Sequence, residues 1–216
     1  MKIHDISMEL EPDMPVYKGR KEMKPQFKVR EDHESGDSHH TDLNFSLHTG
    51  THVDAPLHMI SGGETMEYMP EDKLISPCQV IDMSQAGECI AAADLEELKN
   101  SEIGEDEFLL FKSKNTEEDL LQDAPEEFVY IAEDAADLLT EINPAGVGLD
   151  SLGIERAQPG HPSHRRLLAA GIVIVEGLDL EGIRPGRYKL VLAPLRLDKY
   201  EAAPARALLL EVESLN

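Results

Sequence analysis

Tryptophan is absent from this 216-residue chain, aromatic residues make up 5% of it, and cysteine occurs twice. Cys78 and Cys89 fit neither a redox pair nor a zinc-ligand spacing, which argues against a disulfide scaffold or a thiolate metal centre. They read as reduced thiols of a cytoplasmic protein. Long apolar runs are missing as well. No stretch approaches the ~20 residues of a membrane span, and Met1-Lys2-Ile3-His4-Asp5 lacks the apolar core of a signal peptide. Basic residues are scarce, 20 against 43 acidic ones, for a formal net charge of −23. A field of that sign repels nucleic-acid phosphates and anionic membranes, so both are excluded as partners. There are no low-complexity tracts or internal repeats. What is present, 41% hydrophobic residues and a mean hydropathy of −0.35, suits a soluble protein with one domain over residues 1–216 and room for a core.

Taken in order, the pattern predicts short strands alternating with helices. Lys2 to Leu10, Pro25 to Arg30 and Cys78 to Met83 read as strands, separated by Pro- and Gly-containing turns. Glu31 to His40 is polar, so His33, His39 and His40 are expected to be solvated. Asp94 to Lys99 reads as a short helix, Phe108 to Lys112 as a strand, and Thr116 to Leu121 as a helix capped by Thr116. Glu133 to Ile142 carries Ala135, Leu138, Leu139 and Ile142 at helical spacing, and Pro144 stops it. Val147 to Asp150 is a short buried strand. His161 to Gly171 is a helix with Ser163 as N-cap and Gly171 at C′. Tyr188 to Leu197 and Ala205 to Val212 close the chain as apolar strands. The expected class is α/β, with a mixed sheet paired in part parallel and flanked by helices.

The chemistry concentrates between Asn44 and His58. His48, His52, Asp54 and His58 occupy even positions, whereas Phe45, Leu47, Val53 and Leu57 are odd. In an extended chain this gives one imidazole and carboxylate face and one packing face. A metal-binding helix would also place His48 and His52 together, but Thr49, Thr51 and Val53 are β-branched, Gly50 is a poor helix former and Pro56 forbids helix interior. In a straight strand, positions i and i+4 lie about 13 Å apart, too far for two ligands each about 2.0–2.2 Å from one ion. The chain must therefore bend between His48 and His52, and Gly50 permits it. Imidazole and carboxylate donors without thiolate suit Zn²⁺, Mn²⁺ or Fe²⁺, and the donor set does not choose among them. Met59 to Glu64 follows as a turn that reads as a lid or rim. Farther on, Ile172-Val173-Ile174-Val175 is wholly apolar, and Glu176 ends it. A carboxylate at the mouth of a buried strand requires a partner: a cation, or Arg165 or Arg166 folded back.

His-Thr-Gly-Thr-His-Val-Asp-Ala-Pro-Leu-His, residues 48–58, resembles the signature of the cyclase family, which includes bacterial kynurenine formamidases (arylformamidases) and isatin hydrolases. Gly148-Leu149-Asp150-Ser151, the segment from His164 to Glu176, Leu192 to Leu197 and Ala203 to Ala207 resemble the family too, so the likeness covers most of the chain. It implies a swivelling β/β/α fold and two divalent ions, Zn²⁺ first and Mn²⁺ second. By matching positions, it assigns His48, His52 and Asp54 to one ion and His164 to the other, with Asp54 and Glu176 bridging. His161 is the rival to His164, which the helix–strand spacing to Gly171 favours. Two cations sharing a water bring its pKa towards neutrality. His58, on the same face but beyond Pro56, then suits proton transfer to the departing nitrogen, with an ordinary pKa near ~6.5. The family gives the matching His that task. Tyr17 stands where formamidases carry a substrate-binding Trp, keeping a stacking face and adding a hydroxyl.

The function implied is hydrolysis of a small-molecule amide, of the arylformamidase type, converting N-formylkynurenine to kynurenine and formate. The alternatives are an isatin-like cyclic amide hydrolase and, more remotely, a metal-binding module without turnover. The apolar C-terminal strands, with the resemblance, point to a homo-oligomer such as a dimer.

Overall fold

The computed structural model describes residues 1–117, 120–123 and 126–211. Its strands are β1 (Ile3–Asp5), β2 (Gln26–Glu31), β3 (His40–Asn44), β4 (His52–Asp54), β5 (Ile75–Asp82), β6 (Cys89–Ile90), β7 (Phe108–Lys112), β8 (Tyr130–Ile131), β9 (Gly146–Leu149), β10 (Val173–Glu176), β11 (Gly186–Pro194) and β12 (Ala202–Glu211). The helices are α1 (Lys114–Glu117), α2 (Leu120–Asp123), α3 (Glu133–Ile142) and α4 (Pro162–Ala169). The eight-stranded sheet runs β1-β12-β11-β5-β7-β9-β10-β4, and β4 also pairs with the start of β12, so the sheet closes on itself. Pairing is parallel from β5 through β7 and β9 to β10, and antiparallel elsewhere in this sheet. The mixed α/β class expected from the pattern is the one observed.

Alternation along the strands builds two cores. Phe108 and Leu110 of β7 join Val53, Val80, Val175 and Leu192 inside the closed sheet. Leu109 and Phe111 point the other way, under α3 and α4, with Leu139, Leu167 and Ile174. Both faces of β7 are therefore buried, which explains its unbroken apolar run. Burying each such large side chain contributes roughly 1.5–3 kcal/mol. Gly146 of β9 leaves room for the Phe108 ring, since a Cβ there would meet Phe108 Cε1 at 2.2 Å.

Several boundaries differ from the sequence reading. The first strand is only three residues long. Asp94 to Lys99 lies in a 3-10 segment, Ala92–Asn100, which buries Leu95 and Leu98. Thr116 is inside α1 rather than a cap, and its hydroxyl donates to Asp150 Oδ2 at 3.2 Å. His161, not Ser163, is the N-cap residue of α4. Ser163 instead donates its hydroxyl to Ile131 O at 2.8 Å, while its N–H is taken by Glu155. Gly171 has φ of +75°, as a C′ residue should. His33, His39 and His40 are exposed, and Cys78 and Cys89 are free thiols. Val212 lies outside the described residues. No helix among the described residues is long and apolar enough to cross a membrane.

Candidate metal centre

β4 carries His52 and Asp54 on one face and sends Val53 into the closed core on the other. In the antiparallel pair with β10, Glu176 lies directly opposite His52. The expected strand from Asn44 through His48 does not form. β3 ends at Asn44, and Ser46 competes with any ladder there: its carbonyl accepts from Thr49 N–H at 3.1 Å and its hydroxyl from His48 N–H at 3.3 Å. His48 thus arrives from a turn, and Gly50, with φ of +66°, makes the bend foreseen for it. His58 likewise stands in a 3-10 turn, Pro56–His58, rather than an extended segment.

These elements bring all five expected ligand residues together. His48 Nδ1 is 3.1 Å from Asp54 Oδ1 and 3.3 Å from His52 Nε2. Across the site, His164 Nε2 is 3.7 Å from Asp54 Oδ2 and 3.1 Å from Glu176 Oε1, while Glu176 Oε2 is 3.2 Å from His52 Nε2. Each carboxylate therefore turns one oxygen to the His48–His52 side and the other to His164. Donors sharing a tetrahedral ion at the usual distance stand about 3.4 Å apart, so the spacing suits bound cations. Both oxygens of Asp54 are buried and take part in no hydrogen bond of good geometry among the described residues, although His48 Nδ1 stands 3.1 Å from Oδ1. A buried carboxylate left so calls for a cation.

The imidazoles are set for this. His52 Nδ1 lies 2.8 Å from Gly50 O, and His164 Nδ1 lies 2.5 Å from Glu155 Oε2. Each fixes Nδ1 as the donor and turns Nε2 to the centre. Without a cation, burial pushes both imidazoles down, but the carboxylates outweigh it. Glu176 and Asp54 lift His52 to about 9, and Glu155, Glu176 and Asp54 lift His164 to about 10. Burial pushes the Glu176 carboxyl up, yet His164 and His52 hold it well below its usual range. Asp54 is lowered despite burial and Glu176, through His48, His52 and His58. The His58 ring centroid lies 4.2 Å from that of His48, the rings tilted by 37°, and 5.6 Å from that of His164, edge to face. Burial, assisted by both neighbouring imidazoles, lowers its pKa against the pull of Asp54 and Glu176. His48, Asp54 and His58 bring one ligand atom each within 4.8 Å, so His58 is within reach of a cation, and it also lines the cavity over the site.

Arg165 and Arg166 do not fold back to Glu176. Arg165 Nε donates to Gly160 O, and Arg166 pairs with Glu133 and Asp137. Glu176 Oε1 instead accepts the Ile154 N–H at 2.6 Å. His161 stays at the edge, its Nδ1 3.8 Å from Glu155 Oε2, and His164 takes the central place. Two residues escaped the sequence reading. Glu155 is buried, braces His164 and accepts the Ser163 and His164 N–H groups at the start of α4. Gly177, with φ of +67°, packs so closely on the bend that a Cβ would lie 2.3 Å from Gly50 O. A Gly directly after the apolar strand and its carboxylate was the available signal for Gly177.

A cavity of about 420 Å³ opens over the site, lined by Tyr17, Lys18, Arg20, His48, His58 and His164 among others. Tyr17 is thus placed on its wall, its ring 6.0 Å from Phe128 and packed over Gly153. Met59 also lines the cavity, at the start of the turn read as a rim.

The Cyclase family model matches residues 4–156. The kynurenine formamidase of Salinibacter ruber is 32% identical over 211 residues, 97% of each chain. A "predicted metal-dependent hydrolase" from Bacillus stearothermophilus is 42% identical over 96% of this chain and 97% of that one, with a TM-score of 0.84. Isatin hydrolase A of Labrenzia aggregata is 26% identical over 98% of this chain and 94% of that one, with a TM-score of 0.83. With the model spanning most of its length and relatives matched end to end, this chain belongs to the cyclase family of metal-dependent hydrolases.

Proposed function

We propose that residues 1–216 act as one hydrolase domain that cleaves the amide of an aryl formamide, with N-formylkynurenine as the leading substrate. The observation that carries the reading is the division of Asp54 and Glu176, each with one oxygen towards His48 and His52 and one towards His164. In this reading His48, His52 and Asp54 would hold one divalent ion and His164 the other, with Asp54 and Glu176 contributing to both. Zn²⁺ is the first choice and Mn²⁺ the second. When bound, such a pair supplies an activated water and polarises the substrate carbonyl.

The protein's own groups do the rest. His58, half-buried and with its pKa held below the ordinary imidazole value chiefly by burial, takes the proton of the attacking water and returns it to the departing nitrogen. Contact with the tilted His48 ring holds His58 on the wall of the cavity. Tyr17 offers a face for the aryl ring on the wall of the cavity over the site. The likeness to isatin hydrolase supports a second reading, opening of a cyclic aryl amide by the same groups. We also infer a cytoplasmic protein and a homodimer. The exposed apolar side chains Phe27, Val29 and Leu43 on the β2–β3 ribbon support the dimer, which light scattering tests.

The deciding experiment measures formate release from N-formylkynurenine, and ring opening of isatin, with metal content determined in parallel. His58→Ala should retain its metal and lose turnover by about 10²–10⁴-fold. Full turnover with full occupancy removes His58 from catalysis.

A further inference from the structure

We propose that Lys18 and Arg20 form a cationic rim that selects aryl amides bearing a carboxylate, an inference that rests on the amide-hydrolase reading above. The chain's charge reverses locally. Between Lys18 and Arg30 stand Lys18, Arg20, Lys21, Lys24, Lys28 and Arg30 against one acid, Glu22, in a protein that is otherwise strongly acidic. Two of these cations are engaged elsewhere: Lys24 Nζ donates to Asp13 O at 3.2 Å, and Arg30 pairs with Asp42. Lys18 and Arg20 have no ion-pair partner among the described residues. Both lie over the Tyr17 ring, Lys18 Nζ at 5.1 Å and Arg20 Cζ at 5.8 Å from its centroid.

Position gives these charges a use. Lys18, Arg20 and Glu22 line the same cavity as Tyr17, His58 and His164, so two cations face one acid at its rim. The inner end is acidic, with Glu155 and Glu176 on the wall. Tyr17 spans the two ends. Its ring packs over Gly153, and the next residue, Ile154, donates its N–H to Glu176. An aryl ring lying on Tyr17 with its amide at the inner end presents its far edge to Lys18 and Arg20. A net charge of −23 repels an anionic substrate from most of the surface. The rim reverses that sign at the one opening where it matters, and a guanidinium suits a carboxylate through paired N–H donors. A neutral amide gains nothing from it.

The test compares 4-formamidobenzoate with its neutral counterpart 4-formamidobenzamide, on Zn²⁺-loaded wild type, Lys18→Gln, Arg20→Gln and the double variant. The ratio of kcat/KM for the anion over the neutral amide should fall about fivefold in the double variant, chiefly through KM, as expected for exposed charge pairs. In wild type the same ratio should fall as salt rises from about 20 to about 500 mM. A ratio unmoved by both substitutions places the carboxylate elsewhere and overturns the rim. Should wild type hydrolyse neither compound, the hydrolase reading fails for formamides, and calorimetric binding of 4-aminobenzoate against 4-aminobenzamide still decides the rim. Arg20→Gln must then weaken the anion alone; equal losses for both ligands, or none, overturn it.

Discussion

Glu176 faces His52 across the antiparallel pair of β10 and β4 and reaches His164 with its other oxygen, at 3.2 and 3.1 Å. One side chain thus joins the residues of the Gly50 bend to the helix that carries His164. Glu176→Gln keeps the size and removes the charge, so bound metal per chain should drop, as read by elemental analysis after desalting. An unchanged stoichiometry takes Glu176 out of the centre.

Glu155 braces His164 from behind. The charge of the acceptor on Nδ1 raises the basicity of Nε2, and losing such a partner weakens metal affinity by about 10–100-fold. Glu155→Gln keeps one oxygen but sets its amide N–H₂ against a donor, the Ser163 N–H or the His164 N–H and Nδ1, so it should show that loss in chelator competition together with a lowered melting temperature. Equal affinity in both proteins reduces Glu155 to a helix cap.

The protonation of His52 and His164 couples metal to pH. In the metal-free protein they stay charged up to about 9 and about 10, above the ordinary imidazole value. Their contribution to the metal-free fold is complete below pH ~6.5 and is lost as pH rises through those two values. The melting temperature of the metal-free protein should therefore decline over that window. Metal binding at pH 7.5 must expel these protons, so calorimetry in buffers of different ionisation heat should report net proton release. Binding without proton release contradicts the assignment of both imidazoles.

Gly177 meets Gly50 at a distance that excludes any Cβ, in a backbone conformation that favours glycine. Gly177→Ala should cost more than ~2 kcal/mol, from the left-handed φ and the forced separation together. Chemical denaturation reads the loss, and metal stoichiometry should fall with it as Glu176 moves from His52. A variant of native stability means the contact has slack.

Much of the centre was legible because its first ligands fall within a few residues of one another. His52 and Asp54 share a strand face, and Gly50 stood out as the bend between His48 and His52. The turn at Ser46 was not legible, since period-two spacing carried the strand reading back through His48 while a hydroxyl and a carbonyl broke it. Glu155 was hidden for another reason. It meets His164 across a loop and the first turn of α4, and neither its neighbours nor its spacing marks it among the chain's many acids. The parallel core announced itself in Ile172 to Val175, a wholly apolar run, and in the short buried strand from Val147 to Asp150. Closure of the sheet through β4 was invisible, because Val53 alone reports a packing face and nothing local specifies two neighbours.

That closure sets an order of events on the ribosome. β4 precedes in the chain both of the strands it pairs with, β10 and the opening residues of β12, which follow only after β5 to β9. Until then the histidine-rich stretch has no neighbours to pair with, a long-range arrangement that slows folding and exposes the nascent chain. A chain broken off before Ala202 lacks the strand that pairs with His52 to Asp54 on that side, so the candidate centre can assemble only after β12 has been made.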